Sequence, residues 1–140
     1  MKRSTIVMLL AAAIAVAACG GTSKEDKAKA QVCDARADVR KQVDELKGLT
    51  PSTVTLDGVT ANLKAIRNDL GKISDAQSDL ADDRRKAVQT ANTAFTDQVR
   101  ATVSNVGRSL SAEDAKAQLT DATAELAAAY KQTLGRIDCA

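Results

Sequence analysis

Between Leu56 and Leu80 the large apolar side chains fall at Leu56, Val59, Leu63, Ile66, Leu70, Ile73 and Leu80, in alternating steps of three and four with Gln77 the one polar interruption. That rhythm follows the 3.6-residue turn of an α-helix and lays a single apolar stripe along one side. An amphipathic helix of this kind owes most of its stability to burying its stripe, so the chain must supply other helices to cover it. Three further segments do. The first runs from Lys24 to Lys47, with Val32, Val39 and Leu46 spaced by seven and joined by Ala35 and Val43; Gly48 and Pro51 are expected to end it. The third carries Val88, Phe95, Val99, Val103 and Val106 and is expected to stop near Gly107. The fourth carries Ala115, Leu119, Ala122, Leu126, Tyr130 and Ile137. Strand-like alternation is absent from the sequence.

Cap chemistry supports these limits. Ser23 with Asp26 three positions later resembles a capping box, and Ser111-Ala112-Glu113-Asp114 is a second cap-like sequence. Whether the second and third segments form one helix is decided by phase. Extending the second stripe past Leu80 would bury Arg84, Ala87, Ala91, Ala94 and Gln98, whereas the bulky residues stand at 88, 95 and 99. A slip of this kind is either a stutter in a continuous rod or a turn. Ser78, Asp79 and Asp82 offer cap chemistry, so a turn near 78–83 is the preferred reading. The expected fold is therefore all-α, an antiparallel up-down four-helix bundle over residues 24–140. Three helices with one long central helix are the alternative.

The beginning of the chain has a different character. Lys2 and Arg3 precede an uncharged apolar core from Ile6 to Ala18, shorter than the roughly 20 residues that span a bilayer comfortably. Residues 1–18 read as a cleaved signal peptide, and 19–23 as a cysteine with a short tether. Val16-Ala17-Ala18-Cys19 resembles the lipobox of bacterial lipoproteins, an aliphatic and two small residues before a cysteine. The resemblance implies that the Cys19 thiol carries diacylglycerol, that cleavage occurs in front of it, and that the new amino terminus is open to acylation such as palmitate. The alternative is an ordinary secretory signal that leaves Cys19 a free or cross-linking thiol.

Past Cys19 the chain also resembles the small alanine- and aspartate-rich helical lipoproteins and secreted proteins of actinobacteria. The likeness rests on Cys33-Asp34-Ala35-Arg36-Ala37-Asp38, on Thr55-Leu56-Asp57-Gly58-Val59 and on the cysteine near the end. It implies fold and envelope location and carries no functional residues across. In a compartment outside the cytosol, Cys33 and Cys139 form an even pair that is expected to be a disulfide, closing a loop of about 100 residues. Two buried reduced thiols are the other possibility. Both candidate folds bring the two cysteines together.

Charge and composition narrow the function. Lys2 and Arg3 carry the whole excess charge: 20 basic residues less these two leaves 18, against 18 acidic. A chain beginning at Cys19 is neutral, which removes the premise for nucleic-acid binding. There is no histidine, so the commonest general base and metal ligand are missing, and no Ser-x-x-Lys stands in a supporting constellation. No enzyme and no cofactor are expected. Asp75, Asp79, Asp82 and Asp83 would share a face on a continuous helix, an oxygen-rich cluster of the kind that holds Ca²⁺, but their spacing is not that of a calcium loop. Arg84-Arg85-Lys86 beside them reads as a neutralising partner. Arg40 with Asp44, and Lys41 with Glu45, read as a solvated helix face.

Phe95 and Tyr130 are the two aromatic residues, in phase with their apolar lines, and are expected in the core with the tyrosine hydroxyl finding a partner. Alanine is the commonest residue, and small side chains bury little area each, so the core should be thin. The expected function is a non-enzymatic, lipid-anchored interaction or structural module of the cell envelope, held to the membrane through Cys19, with an envelope protein as its candidate partner. The alternative is a carrier of a lipid or other apolar ligand between its helices, in an alanine-lined cavity between the second and third.

Overall fold

A computed structural model describes residues 23–50, 52–109 and 113–139, together with all their side chains except those of 56, 106–109 and 113–118. The expected signal peptide (1–18), Cys19, the expected tether, Pro51 and the cap expected at Ser111 lie outside the described residues, as does the burial expected of Leu56, Val106 and Ala115. Four helices follow one another: α1 (Lys24–Lys47), α2 (Leu56–Ala76), α3 (Asp82–Ser109) and α4 (Glu113–Gln132). The described residues contain no strand.

Each helix packs on its chain neighbours, and α4 closes back on α1, with the α1–α2 contact the most extensive. Side-chain partners run in opposite directions along α1 and α2: Gln42 meets Asp69 while the more N-terminal Asp38 acts on Lys72. The short connections leave little alternative to antiparallel neighbours. The architecture is the up-down four-helix bundle, and the long central helix is not formed. The chain turns through a 3₁₀ segment at Gln77–Asp79, and Leu80 is extended (φ −81°, ψ 153°) with its side chain buried. Arg85 locks that corner, donating from Nη2 to the Leu80 carbonyl at 2.9 Å and standing 3.3 Å from Asp82.

The expected stripes form the core. Val32, Ala35, Val39, Val43 and Leu46 of α1 and Val59, Leu63, Ile66, Leu70 and Ile73 of α2 are all buried, with Ala28 and Ala76 added. On α3 the buried line is Val88, Asn92, Phe95, Val99 and Thr102. Val103 is a correction: it is 37 % exposed, because a step of three from Val99 reaches Thr102 and a step of four swings past the seam. Thr102 tolerates burial by donating its hydroxyl to the Gln98 carbonyl at 3.0 Å. On α4 Leu119, Thr123, Leu126, Ala127 and Tyr130 are buried, whereas Ala122 is only half so.

Helix ends follow local chemistry. Ser23 caps α1, its Oγ accepting from the Asp26 amide at 3.1 Å and donating to the Asp26 carboxylate at 2.7 Å. This is a one-sided version of the capping box, since the carboxylate takes the hydroxyl and not the Ser23 amide. Thr55 caps α2 in the same way, accepting from Gly58 N at 3.1 Å. Gly48 ends α1 at φ −75°, without using the left-handed region open to glycine. The third helix continues through Gly107 to Ser109, consistent with the modest cost, about 1 kcal/mol, of one glycine in a helix. The fourth stops at Gln132, short of Ile137; a 3₁₀ turn at Leu134–Arg136 then carries buried Leu134 and half-buried Ile137 across the bundle end.

Candidate functional site

The turn between α2 and α3, the start of α1 and the tail after α4 share one end of the bundle, and the cysteine expectation is answered there. Cys33 and Cys139 lie at disulfide distance, Sγ to Sγ 2.05 Å and Cα to Cα 5.7 Å. Around the bridge, Arg36 of α1 donates from Nη1 to the Ile137 carbonyl, and its own carbonyl accepts the Tyr130 hydroxyl at 3.2 Å. Tyr130 meets the edge of Phe95, ring centroids 5.9 Å apart at 79°. Both aromatics are core residues, and the tyrosine hydroxyl has its partner. Burial pushes the Tyr130 phenol above its ordinary 10.0, against the opposing pull of the Arg36 and Arg40 charges.

Beside this corner an open groove of about 510 Å³ separates the start of α3 from the end of α4. Its floor is Ala87, Ala91 and Ala94, with Ile137 opposite, and Lys86, Arg136 and Asp83 stand among its lining residues. These alanines are the line that a continued α2 stripe would have buried. With the seam of α3 formed by 88, 92, 95 and 99, the alanine line falls alongside it, and methyl side chains are too short to fill the gap to α4.

Between α2 and α3, where an alanine-lined cavity is expected, the cleft of about 350 Å³ is instead lined mostly by polar groups, among them Arg67, Ser74, Thr96 and Arg100, with Gly71 at its wall; the alanine line of α3 faces α4. Asn92 lies against it, 8 % exposed, donating from Nδ2 to the Leu70 carbonyl at 3.3 Å while its Oδ1 is buried without a hydrogen-bond partner.

The carboxylates Asp75, Asp79, Asp82 and Asp83 are all exposed, and the turn divides them between two helices. Among the described residues no group of three acidic or sulfur ligands is placed to hold a metal ion. Of the neutralising run 84–86, Arg85 performs that role. Arg40 stands 3.8 Å from Asp44 on an exposed surface, as its spacing implies.

A polar link that the sequence left unread joins α1 to α2. Asp69, 4 % exposed, receives Lys72 Nζ at 2.6 Å and Gln42 Nε2 at 3.0 Å. Hydrogen bonding and charge from Asp69 hold the Lys72 ammonium above its ordinary 10.5. Position 69, next to the core residue Leu70, lies on the side of α2 that meets α1, where Gln42 covers it.

No family model, curated protein or solved structure matches the chain in the comparisons made with known proteins. No described helix is long and apolar enough to cross a membrane.

Proposed function

We propose that the protein is a lipid-anchored, extracytoplasmic module of the cell envelope, non-enzymatic, acting by holding its helical bundle against the membrane surface where an envelope protein meets it. The reading is carried by Val16-Ala17-Ala18-Cys19, which resembles a lipobox and stands four residues before the Ser23 cap of α1. A tether that short keeps the folded body within a few residues' reach of its anchor. The pairing of Cys33 with Cys139 is in keeping with an oxidising compartment.

Intact mass of the protein from its native membrane tests this directly. The expected species begins at Cys19, carries added acyl mass, and gains about 2 Da on reduction as one disulfide becomes two thiols. An unacylated, freely soluble chain would overturn the anchor.

The α3–α4 groove favours a second reading, a carrier for a lipid or other apolar ligand. Its alanine floor is apolar, and it opens at the end of the bundle where α1 begins. Native mass spectrometry of protein purified from its own host is expected to reveal a co-purifying apolar molecule that Ala91→Phe excludes. A ligand-free spectrum would sink the carrier reading.

A further inference from the structure

Although residues 19–140 are neutral overall, one groove is not. Between α1 and α4 a channel of about 240 Å³ is lined by Arg36, Arg40, Lys47 and Lys131, with Asp44 the one carboxylate among its lining residues. The α1 cations stand at steps of four and seven, one face of a helix, about 6 Å and then about 10 Å apart along the axis at 1.5 Å per residue. Lys131 faces them from α4. Asp44 answers only part of this charge, standing 3.8 Å from Arg40 with both side chains about two-thirds exposed. Arg36 is fixed in place by its bond to the Ile137 carbonyl, and its Nε is buried with no hydrogen-bond partner. The floor is formed by Val43, Ala127 and the buried Tyr130.

We infer that this groove binds an extended ligand bearing successive phosphate groups, laid along α1 between its cations and Lys131. A row of positive charges in a narrow channel concentrates field lines, which raises the local concentration of a linear polyanion more than that of a single anion. The exposed Arg40 guanidinium can offer phosphate oxygens two parallel N–H donors, Arg36 adds the charge of a guanidinium already anchored to Ile137, and the Lys47 and Lys131 ammonium groups supply point charges in the groove's lining. The channel's concavity suits a thin chain better than a flat headgroup surface. The inference goes beyond the membrane anchor and does not depend on it, since every residue involved lies in the folded bundle.

The test uses the purified full protein in neutral detergent at low salt, titrated by calorimetry with sodium tripolyphosphate and, separately, with glycerol phosphate, the charged part of a simple lipid headgroup. Tripolyphosphate is expected to bind, to weaken steeply with added salt, and to exceed glycerol phosphate by about tenfold or more. Arg40→Glu and Lys131→Glu, both at exposed positions, should each weaken it by about tenfold, while Lys64→Glu on α2 leaves it unchanged. Circular dichroism confirms that the variants fold. The inference is overturned by an absence of tripolyphosphate binding, by equal loss in Lys64→Glu, or by glycerol phosphate binding as tightly as tripolyphosphate, which would indicate a single-phosphate headgroup contact. Each of these outcomes is independent of whether Cys19 is acylated.

Discussion

Asn92 occupies a position where the seam of α3 calls for a large apolar side chain, and half of its amide is unsatisfied. A buried acceptor without a partner costs about 1–3 kcal/mol. Asn92→Leu keeps the branched shape, and the Leu70 carbonyl retains its place in the α2 ladder. The substitution should therefore raise stability by about 1 kcal/mol, read as a higher urea midpoint. What it gives up is the cross-helix bond that fixes α3 against α2, the use to which a lone seam asparagine is put in coiled coils. Gly71 tests the opposite wall of the same cleft. A Cβ built there meets nothing within 4 Å, so Gly71→Ala should gain about 0.5–1 kcal/mol in the same assay. Single residues were also where the sequence was least legible. Val103 attracts the eye by apolarity, yet the seam's geometry selects Thr102, and only the 3-4 rhythm from Phe95 and Val99 could have said so.

Among the elements, legibility tracked local chemistry. The limits of α1 were readable because Ser23 and Gly48 act within their own turns, and the break between α2 and α3 was readable as a loss of phase. The end of α4 was not, since Ile137 continues the apolar rhythm while the chain has already left the helix at Thr133 (φ −115°, ψ −93°). Its course is set by partners far away in sequence, the Arg36 guanidinium on the Ile137 carbonyl and the bridge from Cys139 to Cys33. Replacing both cysteines by serine should therefore loosen this tail first. With the bridged positions 106 apart in sequence, the loss in a two-state thermal or urea experiment should approach about 4.7 kcal/mol, the chain-entropy ceiling for a loop near that length. Hydrogen exchange should report the loosening as early amide exposure after Thr133, ahead of the α1–α2 pair.

At the scale of the whole molecule, a core built largely of valine, leucine and alanine is supplemented by a few polar links, and two of these titrate at high pH: the Tyr130 hydroxyl, which joins α4 to α1, and the Lys72 ammonium, which pairs within α2 with the Asp69 that Gln42 of α1 also meets. The Tyr130 phenol is held above 10.0 chiefly by burial, and the Lys72 ammonium above 10.5 chiefly by its bond to Asp69. For both groups the folded chain keeps its proton longer than the unfolded chain. Below about pH 10 the two states bind the same protons at these sites and the contribution is fully present. As pH climbs through and beyond the ordinary values, the unfolded chain releases protons first, so the unfolding free energy falls with a slope set by that difference. Urea unfolding between about pH 8 and pH 11 should thus be flat at first and then decline. Tyr130→Phe separates the two contributions. At neutral pH it loses the bond to the Arg36 carbonyl, about 1 kcal/mol, and above pH 10 its decline should be shallower than that of the native chain, because the phenol's contribution is gone while that of Lys72 stays. An identical alkaline slope in the two proteins would mean that Tyr130 ionises as freely in the bundle as in the open chain, contrary to its burial against Phe95.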